Sequence, residues 1–126
     1  MKGIASIRKV ALTSRKIAQF IAEFASDKKA EEIVILDMKK IVNFCDYFVL
    51  CTGNSETHIG SIADGIEENF VQYGVKLKPT VNRRSSGWVV LDTGDVVTHV
   101  FLKPIREFYN LEYLWREAKL FHWNKS

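Results

Sequence analysis

Apolar positions along the chain follow two rhythms, and the points where one gives way to the other mark the elements. From Thr13 or Ser14, either of which can cap exposed backbone amides, Ile17, Phe20, Ile21 and Phe24 recur at helical spacing and predict a helix to about Ala25. Ile33 to Leu36 and Tyr47 to Cys51 are short unbroken apolar runs, the second opened by Asp46 and closed by Thr52-Gly53-Asn54-Ser55, and both read as buried strands. Helical spacing resumes with Ile59, Ile62, Ala63, Ile66 and Phe70, and Tyr73-Gly74 supplies the stop. Val75 to Lys78 alternates ahead of Pro79 and suggests a short strand, and residues 82–87 form a loop. Trp88 to Leu91 and Val96 to Leu102 make a hairpin across Asp92-Thr-Gly-Asp95. Pro104 suits a first helical turn, and Leu111, Leu114, Trp115, Ala118 and Phe121 extend helical spacing to the end of the chain.

A hairpin with Thr93 and Gly94 as its loop sets Asp92 opposite Asp95, Val90 opposite Val97 and Trp88 opposite His99. Alternation then sorts the side chains. Val89, Leu91, Val96, Thr98, Val100 and Leu102 form an aliphatic face suited to helices, while Trp88, His99, Asp92, Asp95 and Phe101 form a mixed one. Two carboxylates held opposite each other repel unless a basic group lies beside them, so this face reads as an interaction surface. The plainer alternative stays open: Asp beside a Gly turn accepts backbone hydrogen bonds, and Trp88 and His99 serve as a buried cross-strand pair.

At 126 residues the chain suits one domain, with 1–12 as a basic arm and 13–126 as the folded unit. Apolar residues make up 47% and charged residues 26%, close to globular averages, which excludes wholesale disorder. No apolar stretch approaches the roughly 20 residues of a bilayer span, so no membrane association is expected. The formal charge of +3 is unevenly spread: residues 1–30 sum to +5, 46–75 to −5 and 76–84 to +4. Such poles suit a protein partner as readily as nucleic acid. Met1 to Ala22 lacks acids, as an organellar presequence would, but the Ile17-Phe20-Ile21-Phe24 stripe argues for a folded helix. Cytoplasmic residence of bacterial type is therefore expected ahead of an organellar one.

Candidate chemistry is sparse. Cys45 and Cys51, on one extended run, sit roughly 20 Å apart at about 3.3 Å per residue; they cannot bridge and read as buried thiols. No local pattern ties His58, His99 or His122 to either thiol, and the cysteine spacing matches no zinc motif, so no catalytic residue, cofactor or metal is expected. The Gly53-Asn54-Ser55 turn between strand and helix could cradle an anion, which leaves a nucleotide-binding or nucleotidyltransferase-type enzyme as the alternative function. That chemistry requires two carboxylates on the next strand, and Val75 to Val81 carries two lysines and no acid. Lys76, Lys78, Arg83 and Arg84 form a basic patch without interleaved aromatics, so RNA contact is expected to be peripheral at most.

The ordered string Asp46-Tyr-Phe-Val-Leu-Cys-Thr-Gly-Asn-Ser55, then Ile62-Ala-Asp64, Gly87-Trp-Val-Val-Leu-Asp92, Gly94-Asp-Val-Val97, His99-Val-Phe101 and Arg106 to Trp115, resembles the ribosomal silencing factor family, also called Iojap-like, from roughly Ser14 to Ala118. The resemblance implies an α/β fold: a nucleotidyltransferase-like mixed sheet of about five strands flanked by helices, without catalytic carboxylates. It further implies a translation repressor that binds the large ribosomal subunit through its fourteenth protein and blocks joining of the small subunit, and a homodimer when free. Carried over residue by residue, the family's partner-facing motif falls on Trp88, Asp92, Asp95 and His99, with Arg106 and Tyr109 as further partner contacts. Asp46, Thr52, Gly53, Ser55 and Asp64 also match the family and are read as fold-forming, with Asp46 opening the strand and Ser55 capping the helix. In place of the family's acidic loop before the tryptophan, this chain has Asn82-Arg-Arg-Ser-Ser-Gly87.

Overall fold

The computed structural model describes residues 13–123 except 73, 75, 76 and 78–85. The basic arm, the strand expected at Val75 to Lys78 and the patch formed by Lys76, Lys78, Arg83 and Arg84 lie outside the described residues. Helix α1 (Ser14–Asp27) starts at Thr13, whose Oγ1 accepts the Lys16 amide at 3.2 Å, while the Ser14 hydroxyl donates to Asp46 Oδ2 at 2.7 Å. Strands β1 (Glu31–Asp37) and β2 (Tyr47–Gly53) follow, then helix α2 (Glu56–Gln72), whose first turn is capped by Ser55 Oγ accepting the His58 amide at 3.0 Å. The chain continues through β3 (Trp88–Asp92), β4 (Val96–Leu102), the short helices α3 (Lys103–Tyr109) and α4 (Leu111–Leu114), and β5 (Lys119–His122).

The five strands form one mixed sheet in the order β3-β4-β2-β1-β5. β2 and β4 run parallel, linked through α2, and every other neighbouring pair is antiparallel. Helices α1 and α2 cover one face over an aliphatic core that includes Ile21, Ile35, Val49, Ile62, Ile66, Val89 and Val100. The opposite face buries Leu36, Met38, Phe48, Leu50 and Phe101 beneath α3, α4 and the 38–46 segment. Gly53 ends β2 where a Cβ would meet Ile59 Cγ2 at 2.7 Å and the Ile59 amide nitrogen at 3.1 Å, so the absent side chain is what lets α2 close on the strand.

Two expectations are corrected. Lys119–His122 is a strand, not the end of a helix: α4 stops after one turn, and β5 pairs with β1. Because β1 buries Ile33 and Ile35 on one face and Val34 and Leu36 on the other, it is an interior strand whose second row of amides and carbonyls needs a ladder. β5 supplies that ladder, so tertiary pairing outweighs the local helical spacing. The hairpin register is shifted by two, pairing Trp88 with Phe101, Val90 with His99 and Asp92 with Val97. Thr93 donates its amide to the Val96 carbonyl at 3.0 Å, which leaves Gly94 and Asp95 as the loop. Gly94, at φ +102°, takes the first loop position, where a side chain would be strained. A two-residue shift preserves alternation, so the division of side chains between faces stands while Asp92 no longer opposes Asp95.

Candidate partner-docking face

The face away from α1 and α2 carries a chain of aromatic rings. Phe48 and His99 meet edge to face with centroids 4.8 Å apart, and His99 stacks on Phe101 at 5.8 Å. Trp88 lies 5.0 Å from Phe101 and 4.8 Å from Tyr109, and Tyr109 in turn is 5.0 Å from Phe108. Each such pair contributes about 0.5–1.5 kcal/mol beyond its buried area, enough to hold these rings in one arrangement before any partner arrives. The chain is graded in exposure: Phe101 is fully buried, Trp88 half-buried, Tyr109 51% exposed and Phe108 78% exposed.

His99 holds the indole. Trp88 donates Nε1–H to His99 Nδ1 at 3.1 Å, across the diagonal of the hairpin, which places the histidine proton on Nε2. That Nε2 is enclosed with no hydrogen-bond partner among the described residues. Burial pushes the imidazole pKa down to about 4, so the ring is neutral near pH 7 and serves as an acceptor that orients the indole.

Asp92, Asp95 and Asp46 gather near Cys45 at the turn end of the hairpin, with the Asp46 carboxylate bonded to Ser14 of α1. Burial chiefly, then these three carboxylates, push the Cys45 thiol up to about 11, and burial pushes Cys51 up to about 12. Both cysteines are free, buried and protonated, hence poor nucleophiles. Asp92 Oδ1 accepts the Gly94 amide at 2.7 Å, which fixes the turn. The Asp95 carbonyl accepts the Asp46 and Tyr47 amides at 2.7 and 3.2 Å, leaving its exposed carboxylate at the tip.

Arg106 is placed differently from the expectation that it faces a partner. At 5% exposure, its guanidinium donates to the Glu32 carbonyl at 2.7 Å, Thr52 Oγ1 at 2.8 Å and Glu112 Oε2 at 2.8 Å. All three directions are internal, so it braces α3 and α4 against β1 and β2. Asn110, in the left-handed region, donates its amide to the Arg106 carbonyl at 2.8 Å and caps α4 with its own Oδ1, setting the corner next to Tyr109.

Sequence reasoning missed Phe108, Phe44, Tyr113 and Leu114, all more than half exposed. The available signal was Phe108-Tyr109: adjacent rings on a helix lie about 100° apart, and both cannot turn inward. The Gly53-Asn54-Ser55 turn is already occupied by its own chain. The Asn54 amide donates to His58 Nδ1 at 2.9 Å, Ser55 Oγ is the helix cap, and the neighbouring crevice is lined by Glu31, Glu32 and Glu56, which would repel phosphate. Among the described residues no group of three or more His, Cys, Asp or Glu is placed to hold a metal ion, and no helix is long and apolar enough to cross a membrane.

Residues 11–125 match the family model described as "Ribosomal silencing factor during starvation". The chain belongs to this family. Ribosomal silencing factors from Halalkalibacterium halodurans and Bacillus subtilis are 38% and 39% identical to it, over 85% and 86% of this chain and 92% of each relative. Chloroplastic Iojap of Arabidopsis thaliana is 39% identical over 73% of this chain and 38% of its own length. Among solved structures, a Chromobacterium violaceum protein superimposes with a TM-score of 0.80 at 27% identity, covering 91% of this chain and 92% of that one. A Bacillus halodurans protein superimposes at 0.72 with 40% identity, covering 80% and 94%. The matched residues of this chain thus span the mixed five-stranded sheet and the aromatic ridge on the face that the long helices leave open.

Proposed function

We propose that this silencing factor represses translation without catalysis, by docking on the large ribosomal subunit through its fourteenth protein and occupying the surface that the small subunit needs. In this reading a nucleotidyltransferase-like scaffold serves only to present the ridge. The observation that carries it is the half-buried Trp88, aimed by His99 and flanked by Tyr109, on the same sheet face as Asp92 at the other end of β3, about 13 Å away along the strand. A partly desolvated indole ringed by less critical contacts is the composition of a binding hot spot, and the carboxylates at the turn end of the same hairpin suit a basic ribosomal protein. Arg106 and His99 then act from behind the surface, and the contacting groups are Trp88, Tyr109, Asp92 and Asp95.

The test is co-sedimentation with purified large subunits. Trp88→Ala should weaken association by about 30-fold, corresponding to about 2 kcal/mol, with far-UV circular dichroism unchanged. Undiminished co-sedimentation by a folded Trp88→Ala protein would reject the ridge as the docking site.

A further inference from the structure

On the other side of the sheet, α1 packs over β1, β2 and β4 and leaves β5 uncovered. The result is a groove of about 470 Å³ between α1 and the β1–β5 margin, within the range of small-molecule sites. Its helix wall is Arg15, Gln19 and Glu23, which recur every four residues and share one side of α1. Its floor follows from strand register: Tyr47, Asp37 and Lys119 make one cross-strand row, and Val49, Ile35 and Phe121 make the next.

The two ends differ in charge. Ser14 bonded to Asp46, beside Tyr47, places the start of α1 at the Tyr47–Asp37–Lys119 end, so Arg15, Lys39 and Lys119 gather there with the positive pole of the helix. Lys39 is held by the Tyr47 hydroxyl at 2.7 Å and pairs with Asp37 at 3.7 Å, so the one carboxylate in that row is committed. Arg15 and Lys119 have no ion-pair partner among the described residues. At the opposite end lie Glu23 and Trp123, with Phe121 between the ends, 48% exposed and without a ring partner among the described residues.

We propose that this groove binds a nucleotide, with phosphate at Arg15 and Lys119 and the base stacked on Phe121. Two unneutralised cations beside an open ring match the two parts of a nucleotide, and a neutral metabolite would leave the cations unused. The same chemistry is offered by a free mononucleotide and by an unstacked nucleotide in a single-stranded RNA. The site is separate from the aromatic ridge and does not depend on how the ridge is used.

Equilibrium dialysis and tryptophan fluorescence of the full chain with AMP, adenosine and penta-adenylate RNA test it. AMP or the RNA should saturate the protein below about 1 mM, and adenosine should bind about tenfold more weakly than AMP. Arg15→Glu, Lys119→Glu and Phe121→Ser should each weaken binding by about tenfold, with Tm retained because all three side chains are exposed. Should a charge reversal disturb folding, Arg15→Gln and Lys119→Gln carry the test. Saturation by AMP would identify a free nucleotide, and saturation by the RNA alone would identify a strand. Failure of both to saturate, or binding unchanged in the folded variants, would overturn the proposal.

Discussion

The two faces of the sheet bury unequal numbers of side chains, and by different means: the larger cluster lies under the long helices. Under α1 and α2 the layer is mainly aliphatic, with Ile21, Ile59, Ile62 and Ile66 fully buried between long helices and strands around the Phe24–Phe70 ring pair. On the other face the cover is a seven-residue helix, a four-residue helix and a loop, and the packing is done by rings that extend from buried Phe101 to exposed Phe108. Closed packing stabilises and offers nothing to a partner away from the groove beside β5. The aromatic layer keeps flat, rigid surface in contact with water at little conformational cost, since each ring has few rotatable bonds and is already held by its neighbours.

The sharpest way to break this contrast is to empty one site on each face. Ile62→Ala beneath α2 should lower unfolding free energy by about 3–4 kcal/mol in urea titrations, and association with the large subunit should fall only as far as the unfolded fraction rises. A loss below about 1 kcal/mol would mean that the helical layer is not the closed core described.

Acid should act selectively on the aromatic face. Because burial lowers the His99 pKa to about 4, the unfolded chain takes up a proton near pH 6.5 that the folded chain refuses until about pH 4. This group's share of stability is therefore intact above pH 6.5 and lost as pH falls between those values, by about 3 kcal/mol in total. His99→Gln retains an acceptor for the Trp88 indole and should flatten that limb. Superimposable wild-type and variant stability curves between pH 7 and 4 would count against an enclosed neutral imidazole.

The smallest expected effect is at the rim. Phe108→Ser should change unfolding free energy by less than about 0.5 kcal/mol, as for most exposed positions, while weakening association measurably if the ridge docks as a unit. A large stability loss would show that this ring belongs to the core.

How much of this was legible in the sequence depends on how local each determinant is. The two long helices and the first four strands follow from spacing, caps and the Gly94 turn, and the division of hairpin side chains survived because the register shift was even. The shift itself was ambiguous, since Thr93-Gly94 and Gly94-Asp95 are both acceptable loop pairs for a glycine of positive φ, and the bond from the Thr93 amide to the Val96 carbonyl marks the second. β5 was illegible because Leu111, Leu114, Trp115, Ala118 and Phe121 keep helical spacing although Leu114 and Phe121 face solvent; the free edge of β1 decides their structure from far away in the chain. Of the expected contact residues, Trp88 and Asp92 share one sheet face by the alternation of β3, whereas the internal bonds of Arg106 depend on Thr52 and the Glu32 carbonyl, and no local pattern connects residues so distant in sequence.

The pairing of β1 with β5 also bears on how the molecule is made. Residues 34 and 122 are neighbours in the finished sheet, so a growing chain must hold a strand that is apolar on both sides with one margin bare until residue 122 has been synthesised. Closing so long a loop is slow compared with forming the Trp88 hairpin, and through that interval the open margin is a template for wrong partners. The last strand therefore serves as a latch, ending a period of vulnerability that begins when β1 first emerges.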